Sequence, residues 1–219
     1  MPRYFSYEES NAIWKEVTLK ELESVVRDIP RDKSPGPDGW TQELFYSFAD
    51  IMSIDLLRVV EETRLFGRVD GALNSTFVAL IPKESNPSSF SEYRPISLCN
   101  FAYKVISKII AGRIKQKLSE CIFVEQFEFL KDKLISIVVG LVKVSIHLAN
   151  TKKNPGMFFK IDLKKSYDRV NWTFLRSIRL QIGLNWSVVQ WVMGCVSGAA
   201  FAILINGAPS NFFKAGRGL

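Results

Sequence analysis

Phe159-Lys160-Ile161-Asp162-Leu163-Lys164-Lys165-Ser166-Tyr167-Asp168-Arg169-Val170 is the stretch that decides the fold. Together with Met157 and Phe158 it alternates: Met157, Phe159 and Ile161 share one face of an extended chain, and Phe158, Lys160 and Asp162 share the other. This predicts a strand over 157–163, fed by the turn Asn154-Pro155-Gly156, with the Asp162 carboxylate at its C-terminal end and facing away from the Met/Phe/Ile layer. A carboxylate so placed is a candidate ligand for Mg2+, a hard ion held through one or two carboxylates plus substrate phosphates. Tyr167 follows five residues later, and after Asp168 the chain contains no Asp or Glu, so residues 169–219 offer no partner carboxylate.

On the N-terminal side, Thr18-Leu19-Lys20-Glu21 has capping-box spacing and opens a helix from Leu19 to about Asp28, closed by Pro30. The turn Asp32–Gly39 follows. Phe45, Phe48, Met52, Leu56 and Val59 then predict one amphipathic helix from about Thr41 to Leu65, ended by Gly67. Thr76–Ile81 reads as a buried strand, and a polar loop to about Glu92 suits a mobile hairpin that returns as Tyr93–Leu98. A helix over Tyr103–Leu118 turns Ile106, Ile110 and Ile114 inward and Lys104, Lys108 and Lys115 outward; another covers about Leu134 to Ala149.

On the C-terminal side, Asn171 caps a helix over Trp172–Ile182 stopped by Gly183, and a second runs from about Asn185 to Val196. Phe201–Ile205, Asn206-Gly207 and Phe212-Phe213 read as a hairpin with a type I′ turn, placed on the same sheet as Asp162. Helices, a strand pair, helices, a strand, helices and a hairpin in this order predict an α+β fold with a mainly antiparallel sheet.

Composition narrows the function classes. With 219 residues, 47% of them hydrophobic and 12% aromatic, the chain can bury a core and is not disordered. The net charge of +7 hides an asymmetry: residues 1–70 hold 9 Lys/Arg against 14 Asp/Glu, and residues 71–219 hold 20 against 8. The second part is the one that suits a polyanion. Cys99, Cys121 and Cys195 are far apart and His147 is the only histidine, which excludes a zinc site and leaves thiols expected to be buried in a reducing compartment. His147 is expected as a surface or packing residue rather than a base. The N-terminus lacks a signal peptide's apolar run and no stretch suffices for a membrane span, so a soluble, intracellular protein, cytoplasmic or nuclear, is expected.

Five blocks in order then carry a resemblance: Lys33-Ser34-Pro35-Gly36-Pro37-Asp38-Gly39; Leu80-Ile81-Pro82-Lys83; Tyr93-Arg94-Pro95-Ile96-Ser97-Leu98-Cys99-Asn100 with Tyr103-Lys104; Lys160–Val170; and Leu204–Gly207 leading to Gly216-Arg217-Gly218-Leu219. The chain resembles the reverse transcriptase domain of LINE-type non-LTR retrotransposons, most closely those of plants. The resemblance implies a right-hand polymerase acting on an RNA template, a DNA primer and deoxynucleoside triphosphates with two Mg2+ ions. Residues 1–70 would be an N-terminal helical segment with a Gly/Pro-rich turn, 71–155 a fingers-like region, and 156–219 a partial palm. Carried over by position, Asp162 is the first catalytic aspartate and a metal ligand, Tyr167 the aromatic beneath the incoming sugar, and Lys83 and Arg94 the finger residues that reach the triphosphate. Gln126 falls at a template contact, and Asp168 takes a structural role as an acceptor of nearby backbone bonds.

Two departures accompany the resemblance. The family's Gln-Gly segment and its later aromatic-Ala-Asp-Asp turn do not occur in this sequence, so the isolated chain is expected to be catalytically inactive. Phe127 stands where the family has Ser or Ala, and Asp132-Lys133 where it has Gly-Arg, which suits a decayed or domesticated copy as well as an active one. The alternative to a polymerase fragment is a non-catalytic nucleic-acid-binding remnant; a group II intron maturase relative would share the fold but less of the Pro95–Asn100 wording.

Overall fold

A computed structural model describes residues 2–121, 135–152, 157, 159, 161, 163 and 165–218. Helix α1 (Tyr7–Ile13) opens on a reciprocal capping box, in which Glu9 N donates to Ser6 Oγ and Ser6 N to the Glu9 carboxylate. The spacing at Thr18 produces only half of that device for α2 (Leu19–Arg27): Glu21 N donates to Thr18 Oγ1, but the Glu21 carboxylate goes to Arg113. Its sequence-level reading as a cap holds, and its reciprocal bond does not form.

The single helix expected over 41–65 is two, α3 (Gln42–Ser47) and α4 (Ala49–Phe66). Phe48 leaves helical geometry at φ −119 and ψ 24, closing one and opening the other. The cause is tertiary: Phe45 is buried with its ring 5.1 Å from that of Phe101, while Phe48 is exposed, and a straight helix would hold both on one face. After the break, Leu56 and Val60 are buried in the core.

Strands β1 (Ser75–Pro82) and β2 (Tyr93–Cys99) pair antiparallel with Val78 opposite Ser97, the hairpin expected from sequence. The β1 side chains are mostly half-buried rather than buried, since one sheet face is open. Helix α5 (Phe101–Cys121) buries Ile106 and Ile110, with Ile114 packed at the edge of the core, and α6 (Ile135–Thr151) carries an exposed His147. Helices α7 (Trp172–Gln181) and α8 (Trp186–Ser197) are capped by Asn171 and Asn185, whose side-chain oxygens accept from Phe174 N and Val188 N.

The C-terminal hairpin is β3 (Ala200–Ile205) against β4 (Ala208–Pro209) and β5 (Phe213–Lys214). Asn206 at φ 50 and Gly207 at φ 82 give the two positive values a type I′ turn needs. Strand β3 also pairs parallel with β1, Thr76 opposite Phe201, giving the order β2-β1-β3-β4. The fold is therefore mixed helices with a small sheet, antiparallel except at this junction.

Of the expected strand over 157–163, only Met157, Phe159, Ile161 and Leu163 are described, and these four are irregular and 71–83% exposed. Alternation marks a chain suited to a sheet, but a strand exists only once a neighbour accepts its backbone bonds, and no described strand pairs with these residues. The intervening residues, Asp162 among them, lie outside the described ones, as does the segment around Gln126.

One buried cluster unites Phe5, ahead of α1, with Ile13, Leu22 and Val60 of the N-terminal helices, Val105, Ile106, Ile109 and Ile110 of α5, and Val188, Val189, Trp191 and Cys195 of α8. Trp191 is fully buried there, donating to Thr63 Oγ1 at 3.2 Å and meeting Trp14 edge-on at 6.1 Å. Of the thiols only Cys195 is buried, and burial pushes it up to about 12; Cys99 and Cys121 are half-exposed.

Candidate functional site

At the turn end of the β1–β2 hairpin the register sets Arg94 opposite Ile81, so both side chains project from the same sheet face. The Arg94 guanidinium is exposed and has no hydrogen bond or ion pair among the described residues. Lys83, one residue beyond β1, is tied instead: its Nζ donates to the Ser91 carbonyl at 2.7 Å and its N–H to the Glu92 carbonyl at 2.8 Å. The intervening loop is knitted by Glu92, whose carboxylate accepts from Ser88 N at 2.6 Å and Ser89 Oγ at 3.0 Å; these bonds hold it below the usual carboxylate range. The loop expected to be mobile is thus braced at its base.

Two of the sequence blocks meet at the other end of the same hairpin. Asn100, buried after β2, accepts from Asp38 N at 3.1 Å and donates to the Ala72 carbonyl at 2.8 Å and to Ser75 Oγ at 3.2 Å. Asp38 returns the contact, its Oδ2 accepting from Phe101 N at 3.2 Å, where a carboxylate also complements the α5 dipole. A Cβ on Gly36 would lie 2.4 Å from Asn100 N, so only glycine lets the loop approach this closely. Lys104 and Lys108 are not free outward cations; their ammonium groups cap the Ser34 and Asp28 carbonyls.

The third junction holds Tyr167. Lys165, at φ 53, turns the chain into a 3-10 turn over Tyr167–Arg169. Gly218 N donates to the Val170 carbonyl at 2.9 Å, and Trp172 Nε1 donates to the Gly218 carbonyl at 2.7 Å. Behind this clasp, and on the sheet face opposite Arg94, lies a cavity of about 510 Å3. Thr76, Ser97 and Cys99 form its floor, with Asp168 and Arg217 among its walls. Tyr103 also lines it; burial pushes its hydroxyl up, and it donates to the Cys195 carbonyl at 3.4 Å.

Lys83 and Arg94 are thereby gathered at one hairpin tip, and Tyr167 sits on a separate turn. Asp162 and Gln126 fall outside the described residues. The Asp168 carboxylate accepts no hydrogen bond among the described residues; it is the backbone of Asp168 that serves the structure, by packing against Gly218. No three His, Cys, Asp or Glu side chains gather into a metal cage among the described residues. Asp38, Asn100 and Trp172 were not foreseen as connectors. Asp38 and Asn100 are of the residue types that cap helices, and each stands at a strand or turn end, a signal available in the sequence; the Trp172 bond to a residue 46 positions on had none.

No described helix is long and apolar enough to cross a membrane. Residues 81–216 match the family described as reverse transcriptase (RNA-dependent DNA polymerase). The chain is also 29% identical over 203 residues to the Transposon TX1 uncharacterized 149 kDa protein of Xenopus laevis, an alignment that covers 93% of this chain and 16% of that protein.

Proposed function

The chain belongs to the reverse transcriptase (RNA-dependent DNA polymerase) family, and from that premise we propose that it is a fragment of the RNA-directed DNA polymerase of a LINE-type retrotransposon of plant type. It spans 16% of the transposon protein it matches, so templates, primers and the whole reaction belong to this proposal. The observation that carries it is Arg94, exposed and without a partner among the described residues, at the tip of a braced hairpin that also carries Lys83.

In this reading the hairpin is a finger that receives the incoming triphosphate. The planar guanidinium of Arg94 can grip phosphate oxygens in a bidentate fork, and Lys83 contributes a point charge once it leaves Ser91. Tyr167 packs beneath the sugar. Asp162 would supply one hard oxygen ligand for Mg2+, whose chemistry when bound would be to stabilise charge on the reacting phosphate oxygens. The described residues do not by themselves fit that ion. With no acid after Asp168, these 219 residues alone bind without turning over.

Primer extension on an RNA template tests this reading. The 219-residue chain should not extend a primer. A chimera that joins it to the Asp-Asp-bearing palm segment of an active reverse transcriptase should, and Asp162→Ala in the chimera should abolish extension while leaving hybrid binding nearly intact. Extension by the Asp162→Ala chimera would refute the role of Asp162.

A further inference from the structure

The turn that carries Tyr167 is fastened to the segment that follows β5 far along the chain, and the geometry points to Trp172 and Gly218 as positioning residues for Tyr167. The inference rests on the reading of Tyr167 as the residue beneath the incoming sugar. Three observations converge on it. Gly218 N and the Gly218 carbonyl are both engaged, by Val170 on one side and the Trp172 indole on the other, so the peptide is held from two directions. Gly218 lies at φ 95, a conformation that L side chains rarely adopt. A Cβ there would stand 3.2 Å from both Cα and the carbonyl oxygen of Asp168, the residue next to Tyr167, and would press on the turn itself.

The turn is short and its own bonds are long: Arg169 N reaches the Ser166 carbonyl at 3.2 Å and Val170 N reaches the Tyr167 carbonyl at 3.4 Å. Beside it lies the open cavity lined by Asp168, Trp172, Arg217 and Gly218, so a loosened turn has space to shift. The two bonds of Gly218, to Val170 and Trp172, therefore anchor the C-terminal end of the turn that carries Tyr167. They also link it to β5, four residues before Gly218. Whatever Tyr167 discriminates in a sugar depends on the seating of that segment.

Equilibrium dialysis of labelled dATP and ATP with Mg2+ against the intact 219-residue chain gives the ratio of their dissociation constants. A general loosening of the fold weakens both nucleotides together and leaves the ratio unchanged; a displaced Tyr167 changes the ratio. Tyr167→Ala should bring it toward one. Trp172→Phe, which keeps a ring but removes the donor, should shift it the same way by about fivefold, the order expected for one lost hydrogen bond, and Gly218→Ala, whose Cβ would press on the Asp168 backbone, should shift it in the same direction. If Tyr167→Ala collapses the ratio and both clasp variants preserve it while retaining native circular dichroism, the inference is overturned and the reading of Tyr167 survives. If Tyr167→Ala leaves the ratio unchanged, or the unaltered chain shows a ratio of one, the reading of Tyr167 falls and the inference falls with it.

Discussion

Arg113 and Arg94 stand on consecutive elements and are treated in opposite ways. In the helical body, Arg113 of α5 is saturated: Nε and Nη2 grip the Glu21 carboxylate, Nη1 donates to the Ile13 and Lys15 carbonyls at 2.8 and 2.6 Å, and Nη2 also reaches the Glu16 carbonyl at 3.2 Å. Arg64 repeats the pattern, bound to Glu61 and the Trp14 carbonyl with its guanidinium 4.9 Å from the Trp14 ring centre. At the hairpin, Arg94 is exposed and has no internal partner among the described residues. The difference teaches that net charge alone does not locate a polyanion site. Cations whose donors are already spent on carbonyls and carboxylates hold the helices together, and those left open are the ones a phosphate can claim.

The comparison breaks if removing Arg113 costs nothing. Arg113→Ala would leave three carbonyls and a half-buried carboxylate without their donor, and should destabilise the chain by about 3 kcal/mol in urea denaturation. Asn100→Ala removes the bonds that join the Gly36–Asp38 loop to the hairpin base, with an expected loss of about 2 kcal/mol by the same measurement.

Acid sharpens the contrast further. Burial pushes the Glu61 carboxyl up, but the Arg64 bonds and the Val17 N–H outweigh it and hold the group below its ordinary value of 4.5. The Lys117 ammonium and the Ser6 N–H bring Glu9 down to about 2. Both groups have depressed folded values, so their stabilisation is complete above pH 4.5 and is lost as pH falls through the folded values, to about 2 for Glu9. Melting temperature followed from pH 6 to pH 2, taken as roughly the span of that linkage, should fall less steeply for Glu61→Gln than for the unaltered chain. The smallest effect on stability belongs to Arg94→Ala: no change in melting temperature, with dATP affinity lowered about fivefold by dialysis, the order of one charge-assisted bond.

Much of this was written locally. Asn206-Gly207, Asn171 and Asn185 announce their turn and caps because the signal lies within three residues of the structure it specifies. Ser6 and Glu9 could have been read in the same way. The break at Phe48 was not legible, since Phe45, Phe48 and Met52 keep helical spacing and only the Phe101 ring decides which of them is buried. The parallel seam between β1 and β3 joins residues 125 apart, Ser75 to Ala200, and no local pattern specifies it. At the candidate site, sequence blocks nominate Lys83, Arg94 and Tyr167, and only the Ser91 carbonyl near Lys83 decides which of the two cations is left without a partner among the described residues.

The most direct measurement is a fluorescence-anisotropy titration of a short RNA–DNA hybrid with the 219-residue chain across a salt series. Residues 71–219 carry the excess of Lys and Arg, so binding should be present at low salt and weaken steeply, by tenfold or more between about 50 and 200 mM if several phosphates are neutralised. Absence of binding at low salt, or binding indifferent to salt, would contradict the account.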